Sequence, residues 1–421
     1  MRRMLERCAA LDVHKKAVTA CAWILKPDGE VEELIVEFQT MAADLLALRD
    51  WLMQLGVTHV AMEATGVYWK PVYYALEDDF ELLLVNAAHV KNVPGRKTDS
   101  LDAQWLCQLL ECGLLRASFV PPKPIRELRD LTRYRRSLIK ERQQETNRLH
   151  KVLEDAGIKL ACVATDVLGV SGRQMLEALI SGTRDPEVLA ELARGRMRAK
   201  LPMLRRALVG NFKPHHALIV SHILVHLDYL DETIATLTEE VERRLAPFAH
   251  KAENLCTITG VAERVSQAIL AELGPDMSRF SSDRHAASWA KICPGNDESA
   301  GKRRSGKTHK GNPHLRAALI EAANAAAHSK NTYLRAQYEQ IKRRRGHKKA
   351  ITAVAHSILI AAYHILKDDV PYQELGGDYF TRRADPARIT KRLVAQLERL
   401  GHTVTLQTAT STAEAVVAAP A

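Results

Sequence analysis

The chain has 421 residues, 46% hydrophobic and 26% charged, which allows two or three domains with real cores and gives a soluble surface. Lys and Arg exceed Asp and Glu by 10 and the pI is near 9.2, so the expected partner is a polyanion, most often nucleic acid. No apolar run reaches the roughly 18 residues a membrane span needs, and the odd set of seven cysteines, with no CxxC pair, excludes a zinc knuckle and fits a reduced, intracellular protein without a signal peptide.

Residues 8–120 read as an α/β domain. CAALDVH and AVTACAWIL are apolar strands, Pro27-Asp28-Gly29 marks a turn, and EELIVEF is a third strand. Thr40 is placed to cap a helix over 41–55, with Leu45, Leu46, Leu48 and Leu52 as its buried face. THVAMEA is the fourth strand, a helix follows near 67–78, ELLLVN is the fifth strand, and another helix covers about 98–112. Three meandering strands, then helix, strand, helix, strand, helix is the order of a ribonuclease H-like mixed sheet.

Residues 121–250 read as helical, opened by Pro121, Pro122 and Pro124. From Val220 to Leu245 the apolar residues step by three and four, a coiled-coil seam whose partner is either the basic helix 125–156 or a second copy of the chain. Residues 251–372 form a third, mainly helical region. It begins with TITGVAERVSQAILAELG, similar to a helix–hairpin–helix but with Ala262 at the usual second glycine, and continues through a Gly- and Lys-rich loop, 294–312, to an Ala-rich helix, 313–329. A short helical extension, 373–402, and a disordered tail, 403–421, complete the chain.

The positive charge is focused as phosphate binding requires. Residues 301–349 carry a net +12, more than the whole chain, and 122–151 carry +6. The expected backbone contacts are Lys302, Arg303, Arg304, Lys307 and Lys310 among glycines, Arg343, Arg344 and Arg345 in a basic run, and Arg133 and Arg136 on the second stretch.

Four acids stand at informative places. Asp12 ends the first strand, Glu63 ends the fourth, and Asp99 and Asp102 are spaced to share one face at the start of a helix. An acid at a strand end is usually solvated, and one in a first helical turn is usually a cap. Here the topology makes the first and fourth strands neighbours, so the four carboxylates converge on one end of the sheet. Converging carboxylates repel unless a cation lies between them, and a hard divalent ion such as Mg²⁺ or Mn²⁺ takes that donor set.

LDVHKKAV, AMEATGVYW, HVKNVPGRKTDSLDAQWL and, far downstream, ITGV with SWAKICPGNDESAGKRRSGKTHKGNPHLRAALIEAA resemble the DEDD transposases of insertion sequences, a family that includes the Piv-type invertases. The resemblance covers about residues 8–155 and 254–372 and is weakest over 157–253. It implies a RuvC-like first domain with Asp12, Glu63, Asp99 and Asp102 as the metal-binding set. It also implies a C-terminal domain with a nucleophilic serine at the position of Ser299, a structured guide RNA pairing with donor and target double-stranded DNA, and homo-oligomers with active sites composed from different subunits. On its own, Ser299 is a polar residue in a loop with no adjacent activating group. Two other functions fit the residues less well: a RuvC-like junction nuclease using water, which needs no serine, and a non-catalytic nucleic-acid-binding protein, which needs no acid set. Tyr68 and Trp69 either stack on bases or pack in the core, and His14 is either a neighbour of the metal or of a phosphate, or simply exposed.

Overall fold

A computed structural model describes residues 4–64, 66–86, 102–295, 297–299, 301–308, 311–383 and 386–406, with backbone alone at 297–299, 303–305, 386 and 388–389. The chain divides into two compact units, Met1–Pro122 and Lys123–Ala421.

The first unit is built on strands β1 (Arg7–Val13), β2 (Ala17–Leu25), β3 (Val31–Gln39), β4 (His59–Glu63) and β5 (Glu81–Val85). Their order in the sheet is β3-β2-β1-β4-β5. The first three form an antiparallel meander, and β4 and β5 add in parallel through the crossover helices α1 (Ala42–Gln54) and α2 (Trp69–Leu76). Alternation along β1 sends Ala9, Leu11 and Val13 to the core under α1 and α2. Cys8 and Ala10 face the opposite side, where α3 (Asp102–Glu111) packs with Ala103, Leu106, Cys107 and Leu110. The expected five-stranded mixed sheet is therefore present.

Two details differ from the sequence reading. Thr40 does not cap α1: its Oγ1 donates to the Lys15 carbonyl at 3.0 Å, and the cap position is Met41, without a side-chain hydrogen bond. Leu46 is 46% exposed, whereas Leu45, Leu48 and Leu52 are buried, because only one stripe of so short a helix reaches the sheet.

The second unit is helical. Helix α4 (Lys123–Asp155) is followed by α5 (Val170–Ile180), α6 (Pro186–Glu191), α7 (Leu201–Ala207) and α8 (Pro214–Leu245). Helix α8 supplies the apolar seam, and its partner is α4 of the same chain. Leu230 and Ile234 bury against Leu138, and the pairs Arg142–Asp231, Arg244–Glu127 and His216–Asp155 fix an antiparallel hairpin. Residues 160–212 fold back over the far end of that hairpin around Leu153, Leu176 and Leu224.

Helices α9 (Ala249–Cys256), α10 (Glu263–Leu273), α11 (Asp283–Trp289), α12 (Pro313–His328), α13 (Tyr333–Arg345) and α14 (His347–Asp368) enclose another core, followed by α15 (Tyr379–Arg382) and α16 (Pro386–Arg399). The small side chains of Ala318, Ala322 and Ala326 let α12 lie close to its neighbours. Gly260, with φ +88°, closes the α9–α10 turn where a Cβ would sit 2.4 Å from the Ala322 carbonyl. Helix α14 has the length and hydropathy to cross a bilayer, but its Ile351, Ala355, Ile358 and Leu359 are spent inside this core. The 294–312 segment, read as a loop, contains a hairpin of β6 (Asp297–Ser299) and β7 (Lys302–Ser305). The proposed disordered tail lies, from residue 407, outside the described residues.

Candidate active site

The register between β1 and β4 brings two of the four acids together. Leu11 pairs with Met62 in parallel, so the next residues, Asp12 and Glu63, leave the sheet side by side at the same end, on strands about 4.8 Å apart. Both follow by two residues a side chain packed under α3, Ala10 on β1 and Ala61 on β4, so alternation puts them on that face. The Asp12 carboxylate remains 30% exposed and lies 3.2 Å from His14 Nε2.

Helix α3 brings the third acid to the same end. The Met4 N–H donates to the Glu111 carbonyl at 2.9 Å, and the Cys8 and Cys107 sulfurs are 3.8 Å apart. Helix and strand are thus antiparallel, and the start of α3 points toward the end of β1. Asp102 is its first residue and is exposed. Burial and sulfur contacts to Cys21 and Cys8, the Cys21 contact foremost, push the Cys107 thiol far above its ordinary range, so these thiols act as core side chains. Asp99 lies outside the described residues. The donor set is all oxygen, at a solvent-facing sheet end, which suits a hard divalent cation.

A different group of metal-type ligands sits in the second unit: Asp155, His215 and His216, whose ligand atoms lie within 4.8 Å of one another. His216 Nδ1 accepts from the Lys213 N–H at 3.1 Å, which leaves Nε2 to donate to Asp155 at 3.0 Å. Nδ1 thus caps α8 and Nε2 bonds Asp155 on α4, so neither ring nitrogen offers a metal a lone pair.

Ser299 ends β6 and pairs with Lys302 across the hairpin turn, where Gly301 takes φ +73°. Gly295 N–H donates to the Lys307 carbonyl at the hairpin base. Lys302 and Lys307 are exposed; Arg303 and Arg304 lie on β7, and Lys310 is outside the described residues. Arg343, Arg344 and Arg345 are exposed in the last turn of α13. Trp69 packs on the first core and contacts Tyr73 edge-on at 5.6 Å, while Tyr68 is 41% exposed.

Arg133 and Arg136 take different partners. Arg133 donates two hydrogen bonds, 2.7 and 2.8 Å, to the buried Glu272 carboxylate, which also accepts from Asn312 Nδ2 at 2.6 Å. Asn312 in turn caps α12 through the His314 and Leu315 amides. Arg136 lies 3.6 Å from Glu321. The Glu272 network ties α4, α10 and the start of α12 into one block. Its sequence signal was an acid inside the apolar run ILAELG, since a buried carboxylate needs cationic partners.

A family model described as a transposase, of the DEDD IS110 type, matches residues 9–158, and a second, for the transposase IS116/IS110/IS902 family, matches residues 252–339. Together they cover more than half of the chain. No curated protein matches it. The first match spans the sheet with Asp12, Glu63 and Asp102, and the second spans the hairpin with Ser299, so the chain belongs to the IS110 family of DEDD transposases, DNA-processing enzymes of insertion sequences.

Proposed function

We propose that the protein cleaves and exchanges DNA strands through a serine–DNA covalent intermediate, at sites chosen by a structured guide RNA. The observation that carries the reading is the paired exit of Asp12 and Glu63 from adjacent parallel strands, with Asp102 on the helix that begins at the same end. With Asp99 these side chains would hold Mg²⁺ or Mn²⁺, which supplies positive charge beside the scissile phosphate. Lys302 and Arg303 flank the serine in the hairpin and hold the strand by its backbone.

In the reaction the Ser299 hydroxyl oxygen bonds to phosphorus, one phosphorus–deoxyribose oxygen bond breaks, and the hydroxyl proton ends on the released sugar oxygen. The phosphodiester energy is kept in the serine ester, so the reverse attack by another strand's hydroxyl rejoins DNA without an external energy source. Composite sites built from two or more copies supply the acids and the serine together. The guide RNA reading draws support from the two basic stretches, whose charge exceeds what a small-molecule substrate needs.

The test is chemical. Protein trapped on a labelled cleavage substrate and digested should yield a DNA adduct on the Ser299 peptide, absent in Ser299→Ala. Normal cleavage by Ser299→Ala, with only free DNA ends, would establish a water nucleophile and a junction-type nuclease.

A further inference from the structure

Within the second unit a groove of about 720 Å³ runs between α4, α10 and α12. Its rim is cationic, from Arg136, Lys140 and Arg264, with the buried Arg135 in its lining, and aliphatic residues such as Ile139 and Val265 complete the floor. Two observations make it more than a charged surface.

The first is Arg135. It is 3% exposed, and among the described residues no carboxylate lies within ion-pair distance of its guanidinium. Its recorded acceptors are neutral: Gln267 Oε1 at 2.6 Å and Thr238 Oγ1 at 3.4 Å. Glu242 and Glu263 favour its charge only from farther away, while burial and the nearby Arg264 disfavour it. A buried cation with neutral hydrogen-bond partners carries a desolvation cost that an incoming anion offsets.

The second is the arrangement of the remaining cations. Arg133 is already matched by Glu272, and Arg136 faces an exposed Glu321. Arg264 and Lys140, exposed on α10 and α4, make no hydrogen bond or ion pair with the described residues. His314 on the wall is held below the ordinary histidine value by burial and then by Arg133, with Arg136 and Arg129 adding to the effect against the opposing pull of Glu272.

We propose that this groove seats a short phosphodiester stretch of nucleic acid, its phosphate held by Arg135, Arg264 and Lys140 and its sugar against the aliphatic floor. The proposal deepens the nucleic-acid reading given above and places a backbone contact on the helix pair α4–α10, away from both the basic hairpin and the α13 run in sequence. RNA and DNA share this chemistry, and the experiment separates them.

Full-length protein is titrated with labelled single-stranded RNA and with labelled duplex DNA, read by fluorescence anisotropy over a series of salt concentrations. The variants are Arg264→Glu and Lys140→Glu, whose side chains hold nothing in the fold, and Arg206→Glu on α7 as a charge-matched control among exposed cations. With melting temperatures unchanged, each groove variant should weaken one probe about tenfold and flatten its log–log salt slope by about 0.7–0.9, one phosphate contact. The probe that loses affinity identifies the strand. Wild-type affinity and slope for both probes, or an equal loss in Arg206→Glu, would overturn the assignment. Because the readout is binding, that result leaves the acid site untouched, whereas cleavage lost in Asp12→Asn with binding intact bears on the acid site alone.

Discussion

Replacing Glu272 with Gln keeps the side chain's shape and removes its charge. In the folded protein Arg129 and Arg133 would then lose the carboxylate they share, which lies 3.3 Å from Arg129 and 2.7 Å from Arg133. Glu272 is fully enclosed, with its side chain 2% exposed, and Arg129 is 12% exposed, so both must be compensated where they stand. Breaking one partner of such a buried pair costs about 3–5 kcal/mol. Arg133 is 31% exposed and can turn toward water, which favours the lower end, about 3 kcal/mol. At roughly 2 °C per kcal/mol for a unit of this size, the melting temperature should fall by about 6 °C.

The pH dependence has a definite sign. Burial alone would raise the Glu272 pKa, but hydrogen bonds and charge from Arg133 and Arg129, with Asn312, outweigh it and hold the carboxyl below its ordinary value of 4.5. The group is therefore depressed on folding, and its contribution is present above that value and lost as pH falls through the folded-state pKa. Urea denaturation of wild type and Glu272→Gln should show a gap that is wide at neutral pH and narrows in acid. A gap under about 0.5 kcal/mol at neutral pH, or one that does not change in acid, would mean that the Glu272 charge does not balance these arginines.

Leu230→Ala, at the centre of the α4–α8 seam, should cost roughly 2–5 kcal/mol by denaturation, because the side chain is 1% exposed; a cost under about 0.5 kcal/mol would mean the seam does not hold the hairpin. Gly260→Ala should destabilise the second unit by about 2 kcal/mol or more, since positive φ and a Cβ 2.4 Å from the Ala322 carbonyl act together; unchanged stability would place the α9–α10 turn farther from α12 than described.

The strand order of the first unit was legible because its strands are short apolar or alternating runs, and the three-strand meander leaves few topologies. Asp12 and Glu63 were legible for the same reason: once β1 and β4 are neighbours, strand-end acids must meet. The α4–α8 hairpin was only half legible, since a heptad names a seam and not the helix that fills it. The Glu272 cluster was missed because its partners lie about 140 residues away on a helix whose arginines read as a phosphate-binding face. Arg133 and Arg135 carry the same charge as Arg136, and only packing shows that one is matched by a buried carboxylate, one is enclosed, and one stays at the surface. The hairpin at Ser299 was hidden by its composition, because lysine, serine and glycine give little strand signal when the paired strands are so short.

If the carboxylates at the ends of β1 and β4 and the start of α3 form the DNA-cleaving centre, removing one of them abolishes cleavage without unfolding the protein. Asp12→Asn is the sharpest test, as it removes one negative charge at nearly constant volume from a side chain whose hydrogen-bond partner among the described residues is His14. Cleavage of a supercoiled substrate carrying the element's ends, measured with Mg²⁺ or Mn²⁺ present, should fall by at least about a hundredfold, the scale on which a positioned charge acts on a transition state. Circular dichroism and nucleic-acid affinity should remain those of the wild type. Wild-type cleavage by Asp12→Asn would contradict the assignment.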